Sequence, residues 1–168
     1  MKKLPQDAKS IFKYFDGKWT ISRDIKNLFA PHYNGKAEGT LKITHTPKEL
    51  LNYSEEVKVK FANGFEANGA QDYIFQLNKE KLSQYRAKSR GEKELEKMYD
   101  LTFIPNKGRL LAKNEYKCGK DLYKVEYSIN DYNNFSIYYT VIGPEKNYST
   151  QTSFIREEAE IDLAGDVN

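Results

Sequence analysis

One cysteine, Cys118, stands in the 168 residues, so no internal disulfide can form, which points to a reducing compartment. No stretch approaches the roughly 18–20 consecutive apolar residues of a membrane-spanning helix. The segment Met1-Lys2-Lys3-Leu4-Pro5-Gln6-Asp7 is basic but has no apolar run behind it, so no secretory signal is expected and the location read from the chain is cytoplasmic. Only two histidines occur, His32 and His45, both far in sequence from Cys118. That scatter argues against a structural zinc site, against a cysteine nucleophile with a base beside it, and against haem ligation. No metal, cofactor or catalytic residue is therefore assigned. Gly143-Pro144-Glu145-Lys146-Asn147-Tyr148 lacks the glycine spacing of an anion cradle and reads as a hairpin turn. No recognition helix or aromatic ribonucleoprotein signature is visible, so nucleic acid is not an expected partner.

Aromatic residues are plentiful: 13 Tyr and 9 Phe, with a single Trp. Tyrosine at this level suits strands and polar-lined pockets better than helical bundles. The net charge of +3 hides an asymmetry. Residues 157–168 contain Glu157, Glu158, Glu160, Asp162 and Asp166 and no Lys or Arg, leaving 27 bases against 19 of the 24 acids in residues 1–156. Two parts are expected: a folded domain over residues 1–156 and an acidic, flexible tail over 157–168.

The first pattern is a short helix from Pro5 to Phe15, with Ala8, Ile11, Phe12 and Phe15 at helical spacing and Asp16-Gly17 ending it. Alternating segments follow. In the first, Trp19, Ile21, Arg23 and Ile25 share one face, opposite Lys18, Thr20, Ser22 and Asp24. Gly35–Thr44 carries Ala37 and Gly39 on its apolar face, small residues that signal a close backbone approach. Leu51–Phe61 alternates most clearly, with Tyr53, Glu55, Val57 and Val59 on one side. Asn63-Gly64 and Asn68-Gly69 read as turns bracketing a connection. Segments 71–77, 82–87, 99–103, 110–118, 123–129, 135–142 and 148–156 complete the series, Leu110, Ala112, Asn114, Tyr116 and Cys118 being placed on one face of a single strand. The charged stretch Arg86–Lys97 reads as a lid-like loop. With tight turns and no intervening helices, the sheet must be antiparallel and up-and-down, and closure into one barrel of about eight to ten strands is favoured over a sandwich.

Two charges lie on inward faces, Arg23 and Glu55. An inward cation needs a carboxylate or an anionic ligand beside it. The two residues can satisfy each other, or Arg23 can offer its bidentate fork to a carboxylate or phosphate while Glu55 orients it. Tyr53, Tyr123, Tyr127 and Tyr116, with Asn114, are expected to share that interior, phenol rings forming walls and hydroxyls fixing orientation.

Gly17-x-Trp19 after a short helix, with Arg156 near the end of the last strand, resembles the calycin group of lipocalins and fatty-acid-binding proteins. That resemblance implies that Arg156 stacks on Trp19 and closes one end of a barrel. A closer resemblance is to a family of small bacterial, lipocalin-like proteins known as a domain of unknown function. It runs from about Phe15 to Arg156, through Gly17-Lys18-Trp19-x-Ile21-x-Arg23-x-Ile25, Tyr53-x-Glu55, Cys118-x-x-Asp121-x-Tyr123 and Gly143-Pro144-x-Lys146-x-Tyr148. One departure is Tyr116, where that pattern has a histidine two residues before the cysteine; any role of that histidine is lost or altered here. The expected function is binding of a small amphiphilic, anionic molecule inside the barrel by a monomer or homodimer. The alternatives are a lyase, isomerase or hydrolase using Glu55 and a tyrosine as acid and base, or a protein-interaction module with a filled core.

Overall fold

The structure, a computed structural model, describes residues 3–87 and 94–157. Half of the expected lid, residues 88–93, and the acidic tail beyond Glu157 lie outside the described residues; the flanks of that lid, residues 86–87 and 95–97, are strand rather than loop.

Helix α1 (Ala8–Phe15) starts later than the periodicity predicts, because Asp7 rather than Pro5 organises its first turn. The Asp7 carboxylate accepts from Ser10 N–H at 2.8 Å and the Ser10 hydroxyl accepts from Asp7 N–H at 3.1 Å, a reciprocal cap. Eight residues make too few turns to be stable alone. What holds α1 is burial of Ile11, Phe12, Tyr14 and Phe15 in one end of a barrel.

The barrel strands are β1 (Gly17–Asn27), β2 (Gly35–His45), β3 (Leu50–Phe61), β4 (Glu66–Asn78), β5 (Lys81–Ala87), β6 (Leu95–Ile104), β7 (Arg109–Ala112), β8 (Tyr116–Cys118), β9 (Asp121–Asp131), β10 (Asn134–Ile142) and β11 (Asn147–Arg156). Each pairs antiparallel with its neighbour, and β11 returns to pair with β1, so the sheet closes. The expected single strand over 110–118 is two, β7 and β8, both paired to β9 and separated by residues 113–115. The circuit is thus a ten-strand antiparallel barrel with one position filled by two short pieces. A further correction falls on Asn68-Gly69, which lies inside β4 opposite Lys58 and Val57; only Asn63-Gly64 is a turn.

An up-and-down circuit puts alternate connections at opposite ends. At one end sit α1 and the turns 46–49, 79–80, 105–108 and 132–133; at the other sit 28–34, 62–65, 119–120 and 143–146. The α1 end is solid. Trp19, Phe135 and Phe154 are fully buried, with Trp19 and Phe135 edge-to-face at 4.6 Å and Phe135 stacked on Phe154 at 4.4 Å. The register sets Trp19 opposite Arg156. The buried Arg156 guanidinium lies 4.1 Å from the Trp19 ring centre and 4.4 Å from that of Tyr132. It donates to the carbonyls of Tyr14 at 2.7 Å, Asp16 at 3.0 Å and Tyr132 at 3.1 Å. One cation on the last strand thereby ties together helix α1, the first strand and the β9–β10 turn, and it stacks on Trp19 as the resemblance implies.

Replacing Arg156 by Met keeps the apolar stem but strands those carbonyls. The expected loss is about 3 kcal/mol or more in urea unfolding; a loss below about 1 kcal/mol would show that the guanidinium is not what closes this end.

Candidate functional site

Arg23 and Glu55 meet inside the barrel. Arg23 Nη1 and Nη2 donate to Glu55 Oε2 and Oε1 at 2.8 and 2.9 Å, a bidentate fork, and Nε donates to Thr152 Oγ1 at 2.7 Å. Tyr53 OH donates to Glu55 Oε1 at 2.5 Å. The pair joins β1 to β3 across β2, a span of about 10 Å at the usual strand spacing. What lies beneath is Ala37, paired with Arg23, and Gly39, paired with Val57, whose side chains are too short to obstruct the fork. A Cβ at Gly39 would collide with the Glu56 carbonyl, so the backbone does approach closely there. Burial works against the Arg23 cation, but the hydrogen bonds and charge of Glu55 outweigh it and hold the guanidinium above its ordinary value.

Beside the pair opens a cavity of about 290 Å³ in the half of the barrel away from α1. Tyr53 and Tyr73, ring centres 5.2 Å apart, form one wall, and Ile137, Tyr139 and Val141 of β10 form another. Beneath it runs a polar relay. Tyr127 OH donates to the fully buried Gln84 Oε1 at 2.7 Å, and Gln84 Nε2 donates to Tyr139 OH at 3.2 Å. Burial drives the phenols of Tyr53, Tyr73 and Tyr127 far above their ordinary value. Burial raises Tyr139 too, while its hydrogen bonds with Gln84, Tyr127 and Tyr73 pull it back.

A second charged group sits nearer the rim. Arg86 Nε lies 3.3 Å from Glu96 Oε2, which also accepts from Tyr116 OH at 2.8 Å, and Arg86 Nη2 approaches Cys118 Sγ at 3.7 Å. Burial and the hydrogen bond to Glu96 push the Tyr116 phenol up to about 12. A bulge builds this cluster. The pairing of β5 with β6 slips between Gln84 and Tyr85, skipping Met98, so Glu96 and Met98 turn toward Arg86 and Gln84 while Tyr99 and Leu101 also point in.

Of the residues the sequence nominates, Arg23, Glu55, Tyr53, Tyr116 and Tyr123 line the cavity. Tyr127 does not; it lies beneath the cavity, against Phe15 and Phe75. Asn114 is misplaced. It is exposed in the break between β7 and β8, because the alternation that put it inside ran through residues that leave the sheet. Trp19 and Arg156 close the opposite end. Arg86, Met98, Tyr148, Thr150 and Thr152 line the cavity without being nominated; the inward alternation of 148, 150 and 152 was available to find three of them. Asp121 and Lys146, from two separate motifs, pair at 3.1 Å, and Gly143 has no side chain because the Asp121 carboxylate fills that space. Among the described residues, no three His, Cys, Asp or Glu side chains converge as metal ligands.

Two outcomes follow from this geometry. Glu55→Leu leaves Arg23 with an uncompensated, largely buried charge and should cost about 3 kcal/mol, most of it recovered in Arg23→Met/Glu55→Leu; a double variant no better than the single would contradict the pairing. Alkali is the second test. A phenol raised in the folded state keeps its proton while the unfolded state loses one, so stability should fall as pH rises past the ordinary tyrosine value near 10. Phenolate absorbance from Tyr53, Tyr73, Tyr127 and Tyr139 should then emerge together with loss of tertiary circular dichroism, not before it.

No curated protein matches the sequence. Among solved structures, an S-type phycobiliprotein lyase from Guillardia theta superposes with a TM-score of 0.67 at 11% identity, over 91% of this chain and 94% of that one. A protein of unknown function from the DUF3598 family of Nostoc punctiforme gives 0.57 at 11% identity, over 86% of this chain and 48% of its own, so the present chain spans about half of it. At such identities the likeness is one of fold, a calycin-like barrel. A sequence family described as a family of unknown function, DUF6314, matches residues 15–156, from the last residue of α1 to the last of β11. The chain belongs to that family.

Proposed function

We propose that the barrel binds a small amphiphile whose acidic head meets Arg23 and whose apolar body lies against the tyrosine walls. The observation that carries this is the donor count at Arg23. A guanidinium has five N–H donors; Glu55 and Thr152 take three, and among the described residues no partner takes the other two, on a side chain 18% exposed to the cavity. A carboxylate or phosphate can bridge those donors without dismissing Glu55. Ile137, Val141 and the tyrosine rings supply apolar surface beside them. The volume, at the low end of the roughly 300–1,000 Å³ usual for ligand pockets, fits a short chain or one or two rings.

Glu55 as a general base fits less well. Its two oxygens already receive three donors, from Arg23 and Tyr53, which is the setting of a fixed counter-charge. A fully packed interaction module fits less well than a ligand carrier, given the cavity.

The test is displacement of anilinonaphthalene sulfonate from the purified protein by decanoate and by decanol, with native mass spectrometry for retained ligand. Decanoate should compete, and Arg23→Gln should weaken it by about tenfold, a loss of about 1.4 kcal/mol, while leaving decanol nearly unchanged. Failure of every amphiphilic anion to bind, or equal loss for both competitors, would overturn the proposal. Arg23→Met/Glu55→Leu serves as the folded control should Arg23→Gln prove unstable.

A further inference from the structure

Four large apolar side chains stand in water at the end of the barrel away from α1. Leu28 is 64% exposed, Phe29 59%, Phe65 61% and Tyr33 45%. They come from two connections, 28–34 and 62–65, that the backbone clamps together: Ala62 N–H donates to Asn34 O at 2.7 Å and Asn63 N–H to His32 O at 3.2 Å. Leu28 N–H donates to Asn147 O at 2.9 Å, fastening the same patch to the neighbouring hairpin. Side chains lock the longer connection. Asn27 Oδ1 accepts from the N–H of Phe29 and Ala30, and Asn34 Oδ1 from that of Asn27 at 2.6 Å. A row of rings backs the patch, His32 on Tyr33, Tyr33 on Phe61 at 5.8 Å, and Phe61 on Phe65 at 6.3 Å. The apolar tips are therefore held outward by a rigid base, at no gain to the core. A contiguous exposed apolar patch of this kind marks an interaction site.

The surroundings select the partner. Lys26, Lys36, Lys58 and Lys60 flank the patch, while within residues 24–36 and 58–66 the acids are Asp24 and Glu66. The ion pairs these two make, Asp24 with Lys36 at 3.9 Å and Glu66 with both Lys58 at 3.2 Å and Lys60 at 3.7 Å, are exposed and weakly held. Protruding apolar tips ringed by lysine suit a surface that is apolar beneath and negative on top. A flat protein partner would need a complementary depression for each tip; a lipid interface admits them anywhere. We infer that this end of the barrel docks on anionic lipid bilayers, inserting Leu28, Phe29 and Phe65 below the headgroups with the lysines on the phosphates. The cavity lies in the same half of the molecule, so docking sets its mouth toward the membrane.

Flotation with vesicles of phosphatidylcholine alone and of phosphatidylcholine mixed with phosphatidylserine tests this. The protein should float with the mixed vesicles, less so as salt rises, and Phe29→Ser/Phe65→Ser should lose at least about tenfold in partitioning. Because both positions are exposed, the variant should unfold at the same urea concentration as the parent. Absence of flotation, or flotation indifferent to the double substitution, overturns the inference. So does a parent that sediments as a dimer and a variant that sediments as a monomer, since a second copy would then be what covers the patch. None of these readouts depends on ligand binding at Arg23.

Discussion

The fork between Arg23 and Glu55 constrains this barrel more than any other single contact. A charged pair carried indoors adds little stability, because desolvation of both ions cancels most of their attraction. It does demand geometry. The pair can form only if β1 and β3 hold their register on either side of β2, and if β2 presents Ala37 and Gly39 beneath it. Slipping β1 or β3 by one residue would send Arg23 or Glu55 to solvent and a lysine indoors, and slipping β2 would put larger polar side chains where Ala37 and Gly39 lie. The fork thus selects one alignment of three strands, and its cost is tolerated in the half of the barrel that is not filled.

The two halves of the interior divide the work. Around α1, aromatic rings and Arg156 fill the cylinder, with all three nitrogens of that cation donating to carbonyls and its plane lying on rings. Beyond Phe75 and Tyr127, the rings give way to hydroxyls, Gln84, two arginines and open space. Apolar burial at one end supplies the free energy that lets the other remain hollow and polar, since a ten-strand cylinder is wider than its own side chains fill. Stability and site are separated along the barrel axis.

How much of this was legible in the sequence depends on whether the period of two persisted. It persisted in β1 and β3, so Arg23 and Glu55 stood out as charges on apolar faces and meet as their placement implies. It failed in two places for different reasons. Between β7 and β8 the chain leaves the sheet for three residues and re-enters in phase; counting through the gap rightly put Tyr116 inside and wrongly put Asn114 there. In β6 the bulge at Met98 shifts the phase by one, turning Glu96 and Met98 inward and hiding the Arg86 cluster from any alternation argument. Helix α1 was visible from its apolar spacing, but its start depended on a side-chain cap, which outranks the preference of proline for a first turn.

The likeness to the Guillardia theta lyase and the separation of the two halves bear on each other. At 11% identity over nearly the whole of both chains, what two proteins share is a solution to closing a sheet. Closure needs small residues where strands crowd, aromatic filling at the capped end and a register that returns the last strand to the first. None of those requirements reaches the cavity wall, where Arg23, Tyr53, Tyr73 and Tyr139 stand. Side chains there are free of the fold's demands, except the pair whose fork crosses β2. Chemistry specific to this family should therefore be sought in the residues whose removal the barrel would survive, and Tyr73 and Tyr139, which line the cavity and take no part in the fork, are the first of them.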